Sequence, residues 1–156
     1  MSYWKESMFQ MKSKYLLKCH KLYAIRAENL KAEVQKLKSS LPQEKFVQHP
    51  KVKFAALLRE ATLNTIPEDP DIKKYKLHGD LKKYRRYKQG LKRYRLFFAF
   101  SSKPPIILYL YVNDAMSLRE DGDKNDPYHI FSKLIRQKKV SHDPCDPRIK
   151  QWIQEL

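Results

Sequence analysis

At 156 residues the chain has the length of one domain, and its 42% hydrophobic and 12% aromatic content supplies a packed core and excludes a disordered tail. Thirty-three lysines and arginines against 17 acids give a net charge of +16, which a fold does not require and a polyanionic partner explains. Three glycines (Gly79, Gly90, Gly122) leave no glycine-rich loop for a nucleotide, and two distant cysteines, Cys19 and Cys145, suit a reducing cytosol rather than a disulfide framework.

The stretch Met1–Glu6 is charged and has no apolar run, so no signal peptide is expected. From Leu16 to Leu41 apolar residues recur in steps of three or four (16, 19, 23, 27, 30, 34, 37, 41), the stripe of an amphipathic helix that Pro42 stops. The start is open, because Lys14–Cys19 also reads as a short strand leading into that helix. His49-Pro50 opens a second helix, with Val52, Ala55, Leu58 and Ala61 on its apolar face, and Pro67–Pro70 ends it in a loop.

The periodicity then shortens. Tyr84–Lys88, Arg93–Phe100 and Ile106–Val112 read as three strands, with turns at Gln89–Lys92 and Ser101–Pro105. The third is apolar on both faces, as a central strand is, and with Pro104 it forms the most apolar stretch, about half the length of a membrane span. Asp126-Pro127 caps a last helix with Tyr128, Phe131, Leu134 and Ile135 on one side. Beyond Val140 a proline-rich tail with Trp152 is either a docking segment or a frayed end. The expectation is a single α+β domain over residues 1–156, mainly helical over 13–66, with sheet and C-terminal helix over 82–137.

The charge is concentrated. Between Lys73 and Arg95 stand eleven cations and one acid, Asp80, with Tyr75, Tyr84, Tyr87 and Tyr94 interleaved. Strand alternation places Arg86 with Lys88 on one face, and Arg93 with Arg95 on one face of the next strand, opposite Tyr94, Leu96 and Phe98. Paired antiparallel, these strands would offer a four-cation patch with an aromatic rim, suited to phosphates and unpaired bases. A solvated sheet edge protected by lysine is the plainer alternative, although protection needs one or two cations rather than eleven.

Such a patch could also do chemistry. RNA carries its own nucleophile, the 2′-hydroxyl, so cleavage needs a base, a cationic clamp on the phosphorane and an acid for the leaving oxygen. Arginine clamps but is a poor base. Lysine gives up its proton more readily where other cations crowd it, which makes Lys88, near Arg86 and Arg93 or Arg95, the candidate base. Other constellations are weaker. His142-x-x-Cys145 has a metal-like spacing without a second pair. His129 could serve as acid or base, or be an ordinary helix side chain. Asp121, Asp123 and Asp126 lack the closing glutamate of a calcium loop.

The pattern Arg86-x-Lys88-x6-Arg95-Leu96-Phe97-Phe98, then Val112-Asn113-Asp114, Leu118-Arg119 and Tyr128-x-x-Phe131-Ser132-Lys133, resembles the YhaV toxins of bacterial type II toxin–antitoxin modules, within the RelE-like superfamily. The likeness is close from about Gly79 to Lys138 and loose before it. It implies a small antiparallel sheet of three to four strands, two N-terminal helices packed on it and a C-terminal helix, with a first strand near Lys14–Cys19. It also implies a cytoplasmic, metal-independent endoribonuclease that needs no cofactor, cuts messenger RNA on the ribosome, and is neutralised by a cognate antitoxin, PrlF-like or another acidic small protein. No membrane partner is expected. The catalytic positions carried over are Arg86, Lys88, Arg95, Arg119 and Tyr128, with Lys82, Lys83, Arg85, Lys92, Arg93 and Lys133 as RNA-binding residues. Arg86 stands where RelE has a lysine, and the spacing from Arg119 to Tyr128 is longer than in RelE. Tyr128 reads equally as a core aromatic. The competing class is a non-catalytic RNA- or ribosome-binding protein, and a third possibility is a toxin that binds its antitoxin but has lost activity.

Overall fold

The apolar stripe that runs unbroken from Leu16 to Leu41 is split by His20. The computed structural model, which describes residues 13–156, places β1 at Leu16–His20 and α1 at Lys21–Ser40. His20 keeps an extended backbone, and its Nδ1 accepts from the Leu22 N–H at 3.1 Å, capping the helix. The strand reading of Lys14–Cys19 therefore holds, and the helix is shorter than the stripe. The charged amino-terminal stretch read above lies outside the described residues.

A short α2 (Gln43–Phe46) precedes α3 (Pro50–Glu60), whose first turn carries Pro50. The helix continues as a π turn over Ala61–Thr65 and ends in α4 (Ile66–Glu68). The π turn leaves the buried Thr62 carbonyl without a backbone partner, and the cause is local. Pro67 has no N–H to give back to Thr62, five residues earlier, and the buried Tyr109 hydroxyl donates to that carbonyl at 2.6 Å instead. Burial pushes the Tyr109 phenol well above its ordinary value, so it remains a donor.

The sheet holds β2 (Arg85–Tyr87), β3 (Leu96–Ser102), β4 (Pro105–Val112), β1 and β5 (Ile153–Glu155) in the order β2-β3-β4-β1-β5. It corrects two expectations. The sheet has five strands rather than three or four, and it is mixed, because β1 pairs parallel with β4 (Leu16↔Ile106 to Cys19↔Tyr109). The tail after Val140 is neither frayed nor free: Pro147–Trp152 forms a 3₁₀ turn, and β5 pairs antiparallel with β1 (His20↔Ile153). Among the described residues no helix is long and apolar enough to cross a membrane.

Helices cover both faces. Tyr23, Leu30, Phe54, Leu58 and Ile66 pack from the N-terminal helices onto Leu96, Phe98, Ile107 and Tyr109. On the other face α5 (Pro127–Arg136) lays Phe131 flat on Phe97, ring centroids 4.3 Å apart, with Tyr84 edge-on at 5.0 Å. Strand alternation breaks once. Phe97 pairs with Tyr111 and Phe98 with Tyr109, so Leu110 bulges, and both Leu110 and Tyr111 face α5 while Val112 returns to the N-terminal side. Directly after the bulge, β4 runs into the polar loop 113–126.

Candidate functional site

The register decides which cations share a face. Arg85 pairs with Phe98 and Arg86 with Phe97, so neighbouring arginines point to opposite sides of the sheet. Arg85 faces the N-terminal helices. It binds Asp71 at 3.0 Å, lies 5.4 Å from the Phe100 ring centroid, and donates to the Tyr84 carbonyl. Arg86 faces α5. Its Nη1 donates to the Tyr128 hydroxyl at 3.2 Å and its Nη2 to the Lys74 carbonyl at 2.9 Å.

Tyr128 stands in the first turn of α5 because Asp126 caps that helix. Asp126 Oδ2 accepts from the Tyr128 N–H at 2.9 Å. Its Oδ1 accepts from Arg119 Nη1 and from the Glu120 N–H, both at 2.7 Å. One buried carboxylate therefore fixes both the tyrosine and an arginine. The Arg119 guanidinium lies 4.9 Å from the Tyr128 ring centroid and also binds Asp121. The hydrogen bonds to Asp121 and Asp126 push its pKa further up, which keeps it a permanent cation. Underneath, the Tyr128 ring meets Phe97 edge-on at 5.4 Å. It is at once a half-buried core aromatic and a polar group at the surface. Arg86, Arg119 and Tyr128, separate in sequence, meet here.

Lys88 follows β2, and Arg93 and Arg95 precede β3, so of the four cations expected to form a ladder only Arg86 lies in the paired segment, where it sits opposite Phe97. Arg93 and Arg95 join the site through the backbone. Arg93 and Arg119 form a two-way link: the Arg119 N–H donates to the Arg93 carbonyl at 2.9 Å and Arg93 Nε to the Arg119 carbonyl at 3.1 Å. The fully buried Asn113 accepts from the Arg95 N–H at 2.7 Å and donates to the carbonyls of Arg93 (3.2 Å) and Ser117 (2.7 Å). The Arg95 guanidinium folds back onto the carbonyls of Lys92 and Tyr94, at 2.6 and 2.8 Å. It does not touch the Arg86–Tyr128–Arg119 group. The Nε atoms of Arg85, Arg86 and Arg95 are buried and donate to nothing among the described residues.

Lys88 lies in the turn after β2, exposed, where Gly90 at φ 76° takes the left-handed backbone that glycine favours. Lys82, Lys83, Lys92 and Lys133 are exposed and make no ion pair among the described residues. His129, His142 and Cys145 are exposed. Among the described residues no three His, Cys, Asp or Glu gather in a metal-binding arrangement. Sequence reasoning missed two residues here. Asp126 reads as a helix cap and as part of a failed calcium loop, yet its carboxylate also holds Arg119, seven residues earlier. Asn113 was noticed in a motif without a role, and only the β3–β4 register brings it to Arg95.

Over residues 17–146 the chain matches the YhaV toxin family, described as a toxin with endonuclease activity, of a toxin–antitoxin system. It is 32% identical over 137 residues to the ribonuclease toxin YhaV of Escherichia coli K12, an overlap spanning 85% of this chain and 86% of that one. The same figures hold for the toxin YhaV of Escherichia coli O157:H7. No solved structure matches. With the resemblance at Arg86–Phe98 and Tyr128–Lys133 extended by these matches to most of its length, the chain belongs to the YhaV family: it is the toxin of a toxin–antitoxin system and has endonuclease activity.

Proposed function

We propose that this toxin is a metal-independent ribonuclease that cuts messenger RNA on translating ribosomes in the cytoplasm, its whole length acting as one RelE-like domain. The observation that carries this reading is the convergence of Arg86 and Arg119 on the Tyr128 hydroxyl and ring, beside the cation-rich segment Lys73–Arg95. The name ribonuclease toxin borne by its K12 relative supports the choice of RNA.

In this reading the RNA 2′-hydroxyl attacks the neighbouring phosphorus, and the bond to the 5′-oxygen breaks. Arg86 and Arg119 stabilise the charge that grows on the phosphorane oxygens, already oriented by Lys74, Asp121 and Asp126 before substrate arrives. Tyr128 accepts its hydrogen bond from Arg86, which leaves its own O–H to be donated to the departing oxygen. Lys88 is the base, Arg95 swings from its carbonyl contacts to the phosphate, and Lys82, Lys83, Arg85, Lys92, Arg93 and Lys133 hold the strand. An acidic antitoxin, PrlF-like in the family's manner, neutralises the toxin by covering this charge.

The test uses labelled RNA, free and on programmed ribosomes, together with the same RNA carrying one 2′-deoxynucleotide at the mapped cut. Cleavage should stop at the deoxy position and release a 5′-hydroxyl end. Equal cutting of the deoxy substrate, or of single-stranded DNA, overturns the 2′-hydroxyl mechanism.

A further inference from the structure

Behind Arg93 and Arg95, on the side of the N-terminal helices, opens a cleft of about 240 Å³. Arg26, Phe54 and Tyr94 line it from one side, and Asp114, Ala115 and Met116 from the loop after β4. The volume lies just under the range for drug-sized ligands, which suits one flat heterocycle. The lining is built for such a group. Phe54 and Tyr94 stack at 4.4 Å, and the Arg26 guanidinium covers both rings at 5.6 and 5.8 Å. Arg26 is itself held by its Nε bond to the Asn113 carbonyl at 3.0 Å. Met116 is 84% exposed, the most exposed large apolar side chain among the described residues, and it lines the cleft.

The cleft carries carboxylates as well as cations. Glu33 is paired with Lys51 at the rim, whereas Asp114 makes no ion pair among the described residues. With Arg26 and Lys51 set against Glu33 and Asp114, the lining offers a phosphate no excess of cations. A base edge that presents N–H groups suits the Asp114 carboxylate, which only accepts. Tyr94 lies between the two arginines of the candidate site, and Asp114–Met116 lie between Asn113 and Arg119. The cleft and the site therefore share the same two backbone segments, at the same end of the sheet.

We propose that this cleft is a nucleobase subsite that selects guanine at a nucleotide next to the scissile phosphate, a proposal that rests on the RNA reading above. The base stacks on the Arg26–aromatic platform, and its adjacent N1–H and amino donors meet the Asp114 carboxylate. Adenine and cytosine offer one donor beside an acceptor, and uracil one donor between two acceptors, so none fits the carboxylate equally.

The experiment measures equilibrium binding of non-cleavable 2′-O-methyl RNA oligomers that differ in one base, alongside sequencing of product ends from a randomised cleavable RNA. Two variants are compared with the unmodified chain. Ala115→Trp fills the cleft. Asp114→Asn keeps the oxygen that accepts from Met116 N–H and Ser117 Oγ, but replaces the other acceptor by a donor. The expected result is guanine enriched at one fixed position beside the cut, lost in Ala115→Trp and reduced by roughly tenfold in Asp114→Asn. Base-blind binding and base-blind cutting by an active toxin would overturn the subsite and leave the ribonuclease reading intact. Failure to bind or cut any RNA would overturn both. Weaker antitoxin capture in Ala115→Trp, with RNA preference unchanged, would assign the cleft to the antitoxin and overturn the subsite as well.

Discussion

The two faces of the sheet use the same residue types to opposite ends. Toward the N-terminal helices, the polar groups at the sheet meet a buried carbonyl or an acid. Tyr109 spends its hydroxyl on the Thr62 carbonyl, and Arg85 is matched by Asp71 over Phe100. Toward α5, Arg86 meets a tyrosine hydroxyl and a carbonyl, neither of which cancels its charge, and Arg119 is held by acids but leans on the Tyr128 ring. Two adjacent arginines thus differ in what they are free to do, although sequence composition treats them alike. Charge counts the potential for binding a polyanion, whereas the partner of each charge decides whether it remains available.

The sharpest way to break this comparison is to remove one aromatic from each face. Phe98→Ala and Phe131→Ala should each cost about 3–5 kcal/mol in denaturant unfolding, since both rings are fully buried. Below the transition, only Phe131→Ala should also depress cleavage, because Phe131 supports Phe97, on which Tyr128 rests. Equal losses of activity would mean that the faces are not separable.

Next in size is Arg119→Lys. Lysine still pairs with Asp126 and avoids leaving a buried carboxylate alone, but it cannot bind two acids and cover a ring at once. Single-turnover cleavage should fall by roughly 100- to 1000-fold. Arg85→Lys should change the rate by less than about tenfold, and a larger effect would erase the distinction drawn between the faces. Tyr128→Phe keeps the ring on Phe97 and loses only the hydroxyl. The rate should drop by about 100-fold, while stability changes by no more than about 1.5 kcal/mol. A large stability loss with unchanged rate would make Tyr128 purely a core residue.

The smallest effect concerns pH and the seam between the faces. Burial lowers the His20 pKa from its ordinary 6.5, partly offset by its bond to the Lys139 carbonyl. The unfolded chain therefore takes up a proton that the folded chain resists. Stability is full above about 6.5 and declines as pH falls below it toward the folded value. A thermal melt should reveal a modest fall in Tm on acidification, and His20→Asn, which keeps an N-cap acceptor, should flatten that part of the profile.

Much of this molecule was legible in the residues. The basic segment, the second helix from His49-Pro50, the three consecutive strands and the Asp126-Pro127 cap follow from spacing and local chemistry. β1 was legible only as an ambiguity, because Leu16 and Cys19 fit the helical stripe as well as a strand, and what decides is pairing with β4 about ninety residues away. β5 has three residues, too few to set a period, and becomes a strand only because β1 offers an open edge. At the site, the meeting of Arg86 with Tyr128 depends on the Phe97 register, and the bulge at Leu110 sets where Asn113 begins the loop. Neither is a property of any local stretch.

The placement of β1 bears on how the toxin comes into being. Its neighbours in the sheet begin far along the chain, at Pro105 and Ile153, and the Leu156 N–H bonds the Leu17 carbonyl at 3.1 Å. Until those segments exist, both edges of β1 carry unpaired backbone groups, and such distant pairings form late and slowly. The helix bearing Tyr128 and the carbonyl that locks His20 also lie far along the chain from β1. The Arg86–Tyr128–Arg119 group is therefore completed only after long-range pairing has closed the sheet, so its assembly reports on the last steps of folding rather than the first.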